Sequence, residues 1–423
     1  MFKNILNTFF TKIITAIFSL FIIIINSKSL GAGGVGEISL IILAVSVYLL
    51  INEFFSGAYV YFVPRTDNFQ LLLIAYVGAI ISLLPFYLLY LWIPLAPVKY
   101  VCYVLGLSFI LALSSINQLI LWGREDIRGR NLVMFVQIFI VLISLLYFFY
   151  YVKKTEVLSY IYSLYFGYSA SFIVSVFKIK KYINPGMLKF SKKLFLKTIQ
   201  LGAYNAFSNL IQKMNYRLSY YFIEYFLGIK ALGRFSVGVQ ISESTWLIGQ
   251  SISSVQYARI SNLDNNKKAV ELTLILIKII FVLSSLMILF FTFLPEHFYL
   301  FVFGNDFSGI NFIIAFLAPG IVALSCNMIL SHYFSGTGQY KINTFASLTG
   351  LFFTVVFGLI LIPKYQLAGA GITMSVAYIA SSIYLAVVFF RKNKISFQKI
   401  FISKNDLLFA VQFIKQEFLK IFR

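Results

Sequence analysis

Ser29 to Ser39 reads SLGAGGVGEIS and Phe226 to Ser236 reads FLGIKALGRFS, so Leu30, Gly31, Gly36 and Ser39 recur as Leu227, Gly228, Gly233 and Ser236 at one offset of 197 residues. Leucine and glycine are common, so this match gains weight only if the flanking segments agree under the same offset. They agree in their polar positions. Upstream, Thr8, Lys12, Thr15 and Ser19 are spaced by four, three and four residues and map onto Asn205, Asn209, Gln212 and Tyr216. At about 100° per residue that spacing is one stripe of a helix. Downstream, Ser39, Ser46 and Glu53 map onto Ser236, Glu243 and Gln250. Every partner is polar in a chain that is mostly apolar, which reads as an internal repeat.

The 423 residues are 60% hydrophobic, 18% aromatic and 12% charged, with a mean hydropathy of +0.88. A soluble domain carries about 25% charge, so that class is excluded. Runs of about 20 apolar residues, the length that crosses a bilayer, fall at 7–26, 38–63, 69–93, 99–122, 131–152 and 157–177. A second set falls at 197–226, 234–258, 270–294, 308–334, 342–362 and 367–390. The expected fold is an all-α polytopic membrane protein of about twelve transmembrane helices. Each repeat holds six spans, so the two lobes share one orientation, related by a pseudo-two-fold axis along the membrane normal. The expected division is a lobe at 1–180, a basic linker at 181–196, a lobe at 197–390 and a basic tail at 391–423.

The net charge of +21 does not indicate nucleic acid, because the cations sit in short gaps between apolar runs and form no solvated face. They report orientation instead. With a cytoplasmic N-terminus, 24 of the 35 Lys and Arg lie at the inner face or in the tail, 7 at the outer face and 4 within spans, as the positive-inside rule requires. The first apolar run lacks a small-x-small cleavage site before Asn26, Ser27 and Lys28, so it reads as a retained helix. In the tail, Leu407, Leu408, Val411, Phe413, Ile414, Phe418 and Phe422 recur at helical spacing among Lys404, Lys415, Lys420 and Arg423. An inner-surface amphipathic helix is expected there, with a disordered basic tail as the alternative.

Polar stripes on spanning helices must face protein or water, so two such helices per repeat imply a shared wet centre; interhelical polar glue is the alternative. The seventh span is the least lipid-like. Asn205, Asn209, Gln212, Lys213, Tyr216, Arg217, Tyr220 and Glu224 fall within about 140° of a helical wheel. Lys213 and Arg217, at i and i+4, place two cations at one level. An intramembrane cation costs at least about 2.5 kcal/mol and marks a functional site by default. Two adjacent cations suit an anion, and Arg grips phosphate oxygens with its fork. Glu224 lies two turns away, too far to neutralise both. Pairing with Glu53 or Glu243 is the alternative role for the cations, and the same two carboxylates are candidates for proton or sodium coupling. Lys12 of the first-span stripe and Lys278 are further candidates for binding the substrate, with snorkelling to the inner surface as the alternative for Lys278.

Cys102 and Cys326 lie inside apolar runs without metal or disulfide spacing. His297 and His332 are far apart, no Walker A motif is present, and no loop is long enough for a glycosyltransferase domain or an active site of its own. Catalysis of covalent chemistry and a bound cofactor are therefore not expected.

The N-terminal helix followed by Leu30-Gly31-x4-Gly36, the helix from Gly233 to Ser261 carrying Glu243, the Phe303-Gly304-x2-Phe307 turn and Ile362-Pro363-x-Tyr365-x2-Ala368-Gly369-Ala370-Gly371 resemble the polysaccharide transporter family. More narrowly, the chain resembles the Wzx-type O-antigen flippases, in the MOP superfamily that includes the MATE exporters and the lipid II flippases. The usual proline near the end of the eighth span is absent, with Ser261 in that region. The resemblance implies two lobes around a central cavity, alternating access, and a polyprenyl-diphosphate-linked oligosaccharide as cargo in lipopolysaccharide or other surface polysaccharide biosynthesis. It implies a bacterial inner-membrane location with both termini cytoplasmic, contact with membrane lipids and other polysaccharide-assembly proteins, and drive by protons, sodium or the membrane potential. The cations of the seventh span would hold the diphosphate, with Asn, Gln and Tyr side chains on the sugar hydroxyls. Pro319-Gly320 would hinge the tenth span or fix a packing kink. A MATE-like small-molecule antiporter and a membrane polysaccharide polymerase are the alternatives: the first would want an acid-dominated cavity, the second a long outer loop with convergent Arg, His or Asp.

Overall fold

Thirteen α-helices, joined by short turns, account for the described chain, and no strand occurs among the described residues. The structure is a computed structural model that describes residues 2–66, 68–183, 191–260 and 266–396. The basic connection around Asn184, Pro185 and Gly186, the residue Ser261, and the tail from 397 onward with its expected amphipathic helix lie outside the described residues. So do the side chains of Thr8 and Asn205.

Eight stretches are long and apolar enough to cross a membrane. Two of these are double-length. One is α1 (Phe2–Ser56), broken at Gly31; the other is α13 (Tyr340–Asn393), broken at Gln366. Together with α7 (Lys192–Leu227) and the pair α8 (Ile229–Glu243) and α9 (Trp246–Ile260), they account for the twelve expected spans. The chain is a multi-pass membrane protein. Large apolar side chains remain exposed, among them Ile80 and Leu84 of α3 and Phe352 of α13, and lipid is the solvent that covers them.

The helices gather into two compact units. The first comprises Met1–Leu210 with Ile229–Ser236 and Leu300–Phe307. It holds α1, the single turn α2 (Tyr59–Phe62), α3 (Asn68–Trp92), α4 (Val101–Gly123), α5 (Ile127–Leu146) and α6 (Val157–Ile179). Buried hydroxyls and amides join these helices: Tyr76 donates to Asn117 at 2.8 Å, Asn117 to Ser175 at 2.8 Å, and Tyr48 to the Ala79 carbonyl at 2.6 Å. Each such bond satisfies a polar group that lipid could not.

The two glycines that open the repeat behave alike. Gly31 has φ 64° and ψ −175°, and Gly228 has φ 83° and ψ 173°, a region open essentially to glycine. Each ends one helix and starts the next. The Ala32 N–H exposed by the first break donates to Asp306 Oδ2 at 3.2 Å, and Asp306 stands in the Phe303-Gly304-x2-Phe307 turn, whose two phenylalanines are buried. A Cβ on Gly36 would lie 2.1 Å from the Ile229 carbonyl oxygen, and one on Gly233 would lie 1.8 Å from that of Ala32. Ala32 and Ile229 are themselves partners under the offset of 197, so the two crossings are related by a two-fold axis.

The second unit comprises Ile211–Gly228, Val237–Tyr299 and Ser308–Arg423, with α10 (Asn266–Phe293), the first half of α11 (Glu296–Phe303), α12 (Ile310–Gly336) and α13 among its helices. Its core includes Ile280, Ile329, Phe334 and Phe389. One expectation is corrected here. The eighth span was read as a single helix over 234–258, whereas α8 stops at Glu243 and α9 starts at Trp246. Ser242, Ser244 and Thr245 each turn their hydroxyl back onto a carbonyl three or four residues earlier, which competes with helix propagation. At Pro319, α12 runs on unbroken, and the Ser375 hydroxyl bonds the Phe316 carbonyl while accepting the Gly320 N–H at 3.3 Å. The proline thus sits in a packed joint between α12 and α13.

Candidate functional site

In the second unit, the polar face of α7 meets the end of α8. Arg217 Nη1 donates to Glu243 Oε1 and Nη2 to Oε2, both at 2.7 Å. The two planar groups engage fork to fork, the strongest arrangement available to this pair. Side-chain exposures of 26% for Arg217 and 13% for Glu243 keep water largely away. The helix break after Glu243 lets α8 end with its carboxylate beside α7 and turns Trp246 back toward Tyr216. The guanidinium also lies 5.2 Å from the Tyr220 ring and donates to its hydroxyl at 3.4 Å.

Three aromatic rings close around this pair. Tyr216 is 5.7 Å from both Trp246 and Tyr378, and Trp246 is 6.3 Å from Tyr378. The indole N–H of Trp246 and the hydroxyl of Tyr378 are buried with no hydrogen-bond partner among the described residues. A buried donor without an acceptor costs about 1–3 kcal/mol. Gln212, exposed, donates to the Tyr216 hydroxyl at 3.4 Å.

Pairing with Glu243, the alternative given above to an anion site, is the arrangement that Arg217 adopts. Arg217 is therefore a charge-balanced cation, and any anion that uses it competes with Glu243. Lys213 is half-buried one turn earlier on α7, Tyr220 is buried, Glu224 is exposed, and Lys278 is half-buried on α10.

In the first unit, α7 packs against the end of α1: a Cβ on Gly202 would meet the Phe54 carbonyl oxygen at 2.3 Å. This approach brings Asn209 Nδ2 to Glu53 Oε2 at 2.7 Å. Lys12 is half-buried on α1, within electrostatic reach of Arg130 on α5. Arg130 lies 4.5 Å above the Trp122 ring. Asp126 caps α5 through the Gly129 N–H at 2.9 Å, and it accepts from Lys181 at 2.9 Å and from the Tyr182 hydroxyl at 3.1 Å. Burial pushes its carboxyl up, but these three donors outweigh that and hold it below the ordinary carboxylate range.

Reading the chain in one dimension missed Trp246, Tyr378 and Arg130. The two aromatics stand in apolar runs, where an aromatic reads as packing. Arg130 was counted with the inner loop, whereas α5 begins at Ile127 and includes it; the signal for it was the helix start Asp126-x2-Gly129, an N-cap followed by a helical turn. Among the described residues, no group of three or more His, Cys, Asp and Glu gathers as a metal site would need.

No family model matches the chain. Over 209 residues it is 28% identical to the capsular polysaccharide biosynthesis protein CapF of Staphylococcus aureus, which is 49% of this chain and 52% of that one. The match thus spans about half the length of that curated relative. Two solved structures share the fold at length. The lipid II flippase MurJ, in an inward closed conformation, is similar with a TM-score of 0.74 at 16% identity, covering 97% of this chain and 93% of its own. A multidrug resistance MATE family transporter of the MOP superfamily, inward-facing, is similar with a TM-score of 0.65 at 17% identity, covering 90% and 96%. The chain has the fold of the MOP-superfamily transporters, all-α and arranged as two six-helix repeats.

Proposed function

We propose that this chain is a flippase that moves a polyprenyl-diphosphate-linked oligosaccharide across the bacterial cytoplasmic membrane for surface polysaccharide assembly, without covalent chemistry and with both termini inside. The observation that carries the reading is the cation Arg217 within a spanning helix, beside the hydroxyl-bearing rings of Tyr220, Tyr216 and Tyr378; its pairing with Glu243 is the arrangement of the alternative role, so the reading requires that pair to open. A diphosphate offers the guanidinium the same two-oxygen edge as a carboxylate with more charge, so it displaces Glu243. Lys213, four residues earlier, adds the second cation. Asn205, Asn209, Gln212, Tyr216 and Tyr220 are the candidates for sugar hydroxyls. Released Glu243 then takes up a proton or sodium ion, which links cargo binding to the driving gradient, with Glu53 as a second coupling candidate. Movement of the repeats 1–180 and 197–390 provides alternating access. The fold shared with a lipid II flippase and the half-length match to a capsular polysaccharide protein support this reading.

The Arg217–Glu243 pair also bears on a second reading, an ion-coupled small-molecule antiporter. The pair is neutral, so it adds no net positive charge to repel an organic cation.

Neutralising Lys213 and Arg217 alone would strand the Glu243 charge, so the test uses K213Q/R217Q/E243Q in cells lacking the chain. The expected outcome is normal protein in the membrane, completed lipid-linked glycan units accumulating on the inner leaflet, and no surface glycan. Full surface display by this variant would end the anion-site assignment. Export of organic cations by the parent chain without glycan accumulation in its absence would favour the antiporter.

A further inference from the structure

A second pair of cations lies in the first unit, and among the described residues no acid answers it. Helices α1 and α5 pack together, with the Phe18 ring 6.0 Å from Phe135 and 5.9 Å from Phe139. Lys12 precedes Phe18 by six residues and Arg130 precedes Phe135 by five. At about 1.5 Å per residue these intervals are about 9 and 7.5 Å, so the two cations stand at one level. Arg130 is the fourth residue of α5, which places that level at the inner headgroup region under the orientation set by the basic loops.

Neither side chain forms an ion pair or a side-chain hydrogen bond among the described residues. The acid nearest in sequence that is not exposed, Asp126, is occupied by Lys181, Tyr182 and the Gly129 N–H. Glu125 is exposed, and no Asp or Glu occurs among residues 1 to 11. Arg130 is held in place by its contact with the Trp122 ring, itself 46% exposed, as an interfacial aromatic is. Two half-buried like charges at one level repel each other and lack compensation. Snorkelling relieves a long side chain, but Arg130 is drawn over the Trp122 ring.

We infer that Lys12 and Arg130, with Trp122 as the positioning ring, form a binding site for the phosphate of an inner-leaflet lipid headgroup. A phosphate presents several oxygens to both cations at once, and at this depth the groups that arrive are those attached to lipid. Arg217 and Glu243 belong to the second unit, and the site does not rest on the reading given to them.

The test uses the full chain in nanodiscs of phosphatidylcholine, to which a polyprenyl diphosphate, phosphatidylglycerol or inorganic phosphate is added and binding is followed by native mass spectrometry. Wild type, K12Q, R130Q, K12Q/R130Q and the conservative pair K12R/R130K are compared, with R217Q/E243Q as the control for the other site. Each neutralising change is expected to weaken binding of a lipid phosphate by about tenfold, as loss of a charge-assisted bond does. The conservative pair should keep it, and the control should keep the binding of phosphatidylglycerol, the probe that the Arg217 reading does not claim. Preference for the diphosphate or for phosphatidylglycerol identifies which lipid the site takes. Equal binding by wild type and K12Q/R130Q overturns the site, and inorganic phosphate binding as tightly as the lipids overturns the lipid assignment. Should K12Q/R130Q fail to fold, loss of binding by K12R/R130K overturns it instead.

Discussion

Replacing Glu243 with Gln leaves the Arg217 guanidinium in a largely dry place without its counter-charge, and replacing Arg217 with Gln does the same to the carboxylate. Breaking a fully buried pair costs about 3–5 kcal/mol, while an exposed pair is worth about 0–1 kcal/mol. With exposures of 26% and 13% and two bonds of 2.7 Å, this pair stands nearer the buried limit. Each single change should therefore cost about 2–3 kcal/mol, and R217Q/E243Q, which leaves no charge behind, about 1 kcal/mol. A loss of about 2 kcal/mol is roughly a 30-fold fall in the folded-to-unfolded ratio. Reversible unfolding of the purified protein in mixed micelles, read by tryptophan fluorescence over the full double-mutant cycle, measures the coupling directly. If the double variant loses the sum of the two single losses, the groups are uncoupled and the pair has no energetic meaning. A double variant that is stable but does not flip would assign the pair to transport as well as to packing.

The remaining predictions concern the repeat and the inner loops. Gly31→Ala and Gly228→Ala should each destabilise by about 1–3 kcal/mol for a forbidden backbone conformation. Gly31→Ala should cost more, because its Cβ would meet Asp306 Oδ2 at 2.5 Å while Gly228 has nothing within 4 Å; thermal melting in detergent ranks them. Gly36→Ala and Gly233→Ala each press on a carbonyl of the other repeat, so they should lower the melting temperature to a similar degree, and a marked inequality would argue against the two-fold relation. Asp126 holds its carboxyl low, so its contribution should be complete above the ordinary carboxylate pKa of about 3.9 and lost as pH falls through its lower folded value. Asp126→Asn should remove that acid dependence in melting curves taken between pH 3 and 8 and leave their shape above pH 5 unchanged.

Much of the fold was legible because lipid imposes it on each residue locally. A run such as Leu71 to Trp92 has no alternative to a spanning helix, and a glycine in Leu30-Gly31 or Leu227-Gly228 declares a backbone need that no other residue meets. The site was legible only in part. The stripe on α7 followed from periodicity, but which acid reaches Arg217 depends on where α8 ends, and it ends among Ser242, Ser244 and Thr245. Each of those hydroxyls is unremarkable alone. Arg130 was hidden by an inner loop rich in arginine, where only the packing of α5 on α1 singles it out. Tyr378 was hidden by apolar neighbours, since a phenol reveals its polar end only when something approaches it.

The crossing of the repeats at Gly36 and Gly233 sets the two kinks side by side. Each glycine bears on the carbonyl of the residue that follows the other copy's turn, so neither crossing has room for a side chain. Any larger residue at either point would displace both, which ties the evolutionary freedom of one half of the duplication to that of the other.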